Sequence, residues 1–115
     1  MKQPLVALLI SPDKKMRRNI ETGKKKISIR LDHRDYKVGQ TIMLCCHLVP
    51  WAVQADVTEV RHCTLKDVTE EEYQADGFNC VADMIKGLRA FYPNVGLDSP
   101  VTVIKWDKAR GKLVS

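Results

Sequence analysis

The sequence predicts an α+β domain, most simply a small curled sheet or barrel with two to three helices on its rim. Two observations carry that prediction. Segments with strand periodicity alternate with segments of helical periodicity, with no internal repeat and no linker between them. The chain has 115 residues, which is enough for one hydrophobic core but too few for two. With 44% hydrophobic and 29% charged residues the composition is that of a globular protein, not a disordered one. A chain of this size buries about two-thirds of its unfolded surface, which leaves room for one core and one shallow site. A two-domain enzyme and a large enclosed dinucleotide site are therefore excluded.

The elements follow in order. The apolar run Leu5 to Ile10 reads as a first strand. It is too short to cross a bilayer, and Ser11, Pro12 and Asp13 follow it without a small-residue cleavage site, so a cytoplasmic protein with no membrane partner is expected. Asp13 can cap a short basic helix from Lys14 to Thr22 anchored by Met16 and Ile20, and Gly23 stands where a left-handed residue ends it. From Lys26 to Leu31 the pattern alternates: Ile27, Ile29 and Leu31 share one face, while Lys26, Ser28 and Arg30 share the other. That is a half-buried strand showing polar groups on one side. After Gly39, the nearly continuous apolar stretch Thr41 to Leu48 suits a central strand or a strand buried on both faces. Pro50 and Trp51 break it.

Val53 to Arg61 resumes a strand pattern, and Thr69-Glu70-Glu71-Glu72 reads as a capping box opening a short acidic helix that Gly77 closes. Asn79 is the expected cap of another helix, in which Val81, Met84, Ile85 and Leu88 recur on one face and Pro93 enforces a stop after Tyr92. Val101 to Trp106 supplies the last strand.

Charge is unevenly divided. The net charge is +5, yet residues 1–37 hold 11 basic residues against four acidic ones, and the remainder of the chain is slightly acidic. One face should attract polyanions such as nucleic-acid phosphates, with Lys14, Lys15, Arg17 and Arg18 on the basic helix as the candidate contacts. A solvated face that only aids solubility is the alternative. Cysteines 45, 46, 63 and 80 lack the paired spacing of a zinc site and read as reduced, buried thiols. His47 and His62 each adjoin a cysteine, but no fourth ligand follows from the spacing, and no metal is expected.

The residues that carry chemistry cluster between Gly23 and Arg30. There the glycine ends a helix, Lys24, Lys25 and Lys26 crowd the turn, and Ser28 and Arg30 project together from the strand. Arg30 offers a planar fork for phosphate or carbonyl oxygens, and a partly desolvated lysine on the turn could activate a neighbouring hydroxyl. Lys25 and Ser28 are three apart, so they can meet only if Lys25 lies in the turn before the strand. As an exposed turn residue Lys25 is expected to contribute little to stability. Trp51 and Tyr92 are the candidates for stacking on a base, with core positions as the alternative, and Trp106 is assigned to the core.

The pattern Gly23-x-Lys25-x-x-x-x-Arg30, then Gly39, then Thr69-Glu-Glu-Glu-Tyr-Gln-Ala-Asp-Gly-Phe78, Phe91-Tyr92-Pro93 and Val103-Ile104-Lys105-Trp106 resembles an activating signal cointegrator homology (ASCH) domain over residues 5–107. The resemblance implies a single PUA-like β-barrel domain that binds RNA or modified nucleosides, without a cofactor, and a monomer is expected. A small bacterial branch of this superfamily hydrolyses N(4)-acetylcytidine to cytidine and acetate with a lysine, a threonine and a glutamate. Carried over by motif, these fall on Lys25, Ser28 and Asp76, with Glu72 the lesser alternative to Asp76. Serine for threonine keeps a hydroxyl, and aspartate for glutamate keeps a carboxylate one methylene shorter. Gly23, Lys24, Lys26, Arg30, Trp51 and Tyr92 would then line the ligand site. The function classes are an amidohydrolase on an acylated nucleoside, a noncatalytic RNA-binding module and, as a third, a ribonuclease on single-stranded RNA.

Overall fold

A computed structural model describes residues 6–10, 14–46 and 50–114. In chain order the elements are β1 (Val6–Leu9), α1 (Lys14–Thr22), β2 (Ile27–Leu31), β3 (Thr41–Cys45), β4 (Ala52–Thr64), a 3-10 turn (Leu65–Asp67), α2 (Glu70–Ala75), α3 (Val81–Arg89), β5 (Pro100–Trp106) and β6 (Arg110–Val114). The strands lie in the order β1-β3-β4-β5-β2, with β6 also paired to β4. Only β1 and β3 run parallel among these pairings.

The long strand β4 makes the sheet curl. Its first half pairs with β3 and β6, and its second half with β5. Between them the register slips, Val57 facing Trp106 and Glu59 facing Lys105, so that Thr58 is an extra residue in the strand. Such a bulge bends and twists a strand, which here swings the sheet into a half-barrel. The curl brings the two ends of the strand path, β1 and β2, towards each other without pairing them. Arg30 of β2 crosses the seam between them and gives a hydrogen bond from Nη2 to the Leu9 carbonyl at 2.8 Å.

Two apolar clusters form on the two faces of this sheet. Leu8, Ile20, Ile42, Leu44, Trp51, Val53, Ile104 and Trp106 fill the inside of the curl, where α1 closes it through Ile20 and Met16. Ile27, Ile29, Met84, Leu88, Val101 and Val103 pack on the other face under α2 and α3. The single core expected from size is thus divided by the sheet. The strand buried on both faces is β5, whose Val101 and Val103 enter one cluster and Ile104 and Trp106 the other. Strand β3 is central, as one of the two expectations had it, lying between β1 and β4, but it alternates, with Ile42 and Leu44 buried and its other residues half-buried. The apolar run containing it reflects cysteine and methionine on a partly covered face.

Helix α1 has the expected bounds; Asp13, its expected cap, and Leu5 lie outside the described residues, as does His47. The capping box on α2 is present, with Thr69 accepting from the Glu72 backbone and Glu72 accepting from Thr69. For α3 the expectation is corrected: Cys80 is the cap residue, and Asn79 instead donates to Asp83. The helix ends at Arg89, ahead of Pro93. The cysteines are also less buried than expected, three being half-buried and Cys80 exposed. Strand β6 had no sequence signal, because its residues Arg110, Gly111 and Lys112 break the alternation.

Candidate functional site in the barrel seam

The turn between α1 and β2 places the first functional side chain. Gly23 adopts φ 84°, a left-handed conformation that glycine takes without strain. Its N–H bonds the Ile20 carbonyl at 3.2 Å, and the Lys25 N–H reaches back to Asn19 at 3.0 Å. Lys25 therefore stands in the turn ahead of β2, and its side chain turns inwards rather than into solvent. It is 8% exposed. This corrects the expectation of an exposed turn lysine. Its Nζ donates to the backbone carbonyl of Asp76 at 3.0 Å and forms an ion pair with Asp76 Oδ1.

Asp76 is the C-cap of α2, and its own N–H bonds the Glu72 carbonyl at 3.1 Å. The other carboxylate oxygen, Oδ2, accepts the Ile29 N–H at 3.3 Å. That N–H lies on the side of β2 that has no neighbouring strand, so the carboxylate occupies the seam. Burial pushes the Asp76 carboxyl above its ordinary range, against the opposing pull of Lys25, the Ile29 N–H and the Arg30 charge.

Ser28 faces the inside of the curl, opposite Ile104. The expected solvent-facing polar side of β2 is closed at this point, since Ser28 is buried. Its Oγ accepts from Arg30 Nε at 2.7 Å, so one guanidinium holds both the hydroxyl and the Leu9 carbonyl across the seam. Lys25 and Ser28 share no direct hydrogen bond. The structure thus joins Lys25 to Asp76 and Ser28 to Arg30, with the Ile29 backbone between the two pairs.

The other predicted residues divide. Lys24 and Lys26 are exposed on the turn, and the Lys26 carbonyl accepts the Trp106 N–H at 3.0 Å. Trp51 is in the inner core with its Nε1 donating to Glu21 at 2.7 Å, so its ring has no open face for a base. Tyr92 lies past the far end of β2, where its hydroxyl accepts from Arg34 at 3.3 Å. It lines a shallow groove of about 280 Å³ with Leu31, Phe91, Pro93 and Val95. Lys14, Lys15 and Arg18 are exposed on α1, whereas Arg17 is half-buried and its Nε has no acceptor. Glu72, the alternative acid, is committed elsewhere: it accepts from Thr69 and forms an ion pair with the half-buried Arg61.

Two clusters had no sequence signal. Arg61 with Glu72 is one, since the partners sit on different elements. The second is a stack of His33 on His62, centroids 4.9 Å apart, whose ring nitrogens donate to the Cys63 and Arg34 carbonyls and fasten the segment after β2 onto β4. Among the described residues no three His, Cys, Asp or Glu side chains converge as a metal site would require, and no helix is long and apolar enough to cross a membrane.

No family model and no curated protein matches the sequence. Solved structures do match the fold. An ASCH domain from Lactobacillus crispatus superposes with TM-score 0.70 at 15% identity, over 92% of this chain and 80% of its own. A DUF984-family protein from Enterococcus faecalis gives 0.66 at 14%, over 99% of this chain and 82% of its own. ASCH from Zymomonas mobilis gives 0.60 at 12%, over 91% and 68%. With its mixed, curled sheet and three helices, the chain has the small α+β, PUA-like fold of the ASCH domains.

Proposed function

We propose that this chain binds RNA or a modified nucleoside in the seam, and that Lys25, Ser28 and Asp76 hydrolyse N(4)-acetylcytidine to cytidine and acetate. The observation that supports this reading most is the buried Lys25–Asp76 pair, drawn together from 51 residues apart beside a hydroxyl already held by a guanidinium. A buried ion pair is a weak source of stability. Its position near the Ser28 hydroxyl favours a chemical role.

Lys25 serves as the base, and Asp76, ion-paired with it, is the group to which its proton can pass. Because Lys25 and Ser28 share no direct hydrogen bond, the Ser28 proton passes to the amine through one bridging water as Oγ bonds to the acetyl carbon. Arg30, held beside Oγ, stabilises the negative charge that develops on the acyl oxygen as the carbonyl bond opens. Collapse breaks the bond to N4, which leaves with the proton from Lys25, and water then releases acetate from the acyl serine. A water activated by Asp76 and attacking directly is the variant route.

The test is acetate release from N(4)-acetylcytidine, followed by proton NMR. Ser28→Ala and Lys25→Ala are expected to lower turnover at least a hundredfold, measured at a temperature where circular dichroism shows each folded. Unchanged turnover in both, or none in the parent, overturns the catalytic reading. The exposed cations on α1 favour a noncatalytic RNA-binding role alongside. Changing Lys14, Lys15, Arg17 and Arg18 together to Ala should weaken single-stranded RNA binding and flatten its salt dependence, by a slope change of about 2–3, while sparing nucleoside turnover.

A further inference from the structure

Trp106 carries a buried donor with nothing to receive it. The residue is 2% exposed, and its indole Nε1 finds no acceptor among the described residues. Indole N–H groups that are buried normally have a partner, because an unsatisfied donor forfeits its hydration. The contrast with Trp51, whose Nε1 is given to Glu21, places the vacancy at one tryptophan only.

The strand register locates that donor. Ser28 stands opposite Ile104, and Trp106 is two residues further along the same face of β5. The hydrogen bond from the Trp106 N–H to the Lys26 carbonyl keeps the pairing in step. Trp106 is therefore the diagonal cross-strand neighbour of Ser28, a relation that separates such residues by about 7–8 Å. Trp106 therefore belongs to the same inner face as Ser28.

Its chemistry narrows the ligand. An indole donates only, carries no charge, and here lies among Ile104, Val57 and other apolar side chains. A phosphate or carboxylate brought there would lose its hydration with no cation to compensate, whereas an uncharged carbonyl oxygen fits. Arg30 already serves the position beside Ser28, where an acyl oxygen would sit. We propose that the Trp106 N–H receives the ring carbonyl oxygen of a pyrimidine nucleoside bound in the seam, making Trp106 the residue that selects the base. This inference rests on the seam being the nucleoside site.

Proton–nitrogen correlation spectra test it with cytidine as the probe. Two indole signals are expected, and Trp106→Phe or Trp51→Phe assigns them. On titration with cytidine the Trp106 indole signal should move with the backbone amides of Ser28 to Arg30 while that of Trp51 stays. Trp106→Phe, if folded, should weaken cytidine about tenfold. Moving amides with a still Trp106 indole overturn the inference and leave the seam reading standing. If no signal moves at millimolar cytidine, both fall. The spectrum of the unaltered protein decides even where Trp106→Phe fails to fold.

Discussion

Removing one member of the Lys25–Asp76 pair should be far more damaging than its position in a surface turn suggests. Both groups are at most 9% exposed, and in Asp76→Ala the ammonium of Lys25 would keep only one backbone carbonyl as partner. An uncompensated buried charge typically costs about 3–5 kcal/mol. For a domain of this size that is a fall in Tm of roughly 10–20 °C. Lys25→Ala leaves the carboxylate with the Ile29 N–H as its donor and the Arg30 charge at a distance, and should lose a similar amount. Lys25→Met combined with Asp76→Leu, which removes both charges and keeps much of the volume, should recover most of the loss. Urea unfolding followed by circular dichroism measures all four proteins. The reasoning is refuted if each single variant stays within about 1 kcal/mol of the parent, since water would then reach the pair.

Two further outcomes follow from the packing. Burial pushes Glu72 up, but hydrogen bonds from Arg61 and the Thr69 backbone outweigh it and hold its carboxyl below the usual range. Its contribution to stability is therefore present above the ordinary glutamate value and lost as pH falls through the lowered one, so Glu72→Gln should flatten the acid limb of a stability–pH curve. An unchanged limb would mean that the ion pair does not persist in solution. Gly87→Ala should destabilise by about 1 kcal/mol despite alanine's better helix propensity, because the new Cβ would lie 2.5 Å from the Phe78 ring; a rise in Tm would show that the ring moves aside freely.

What the sequence made legible was local. The bounds of α1 and the capping box on α2 are set by neighbours within a few residues, and they stand as expected. The burial of Ser28 was not legible, because it depends on Ile104 across the sheet and on Arg30 folding back over the hydroxyl. Nor did composition distinguish Trp51 from a rim aromatic; its ring is drawn inside by the apolar cluster and by Glu21 on α1. The apolar run at Thr41 suggested a central or a doubly buried strand; β3 is central, whereas double burial depends on which strand has helices behind it, and α2 and α3 lie behind β5. The orphan indole of Trp106 could not be anticipated from any spacing, since it is defined by an acceptor that is missing.

The Asp76 carboxylate on the Ile29 N–H has a consequence for the exposed edge of β2. A terminal strand with an outward amide free to bond is a template for joining another molecule's sheet. Here a charge sits on that amide and bars a stranger's backbone from docking. Substituting Asp76 thus removes a guard against self-assembly as well as an acid, and its variants should be handled dilute, with light scattering as the watch on clumping.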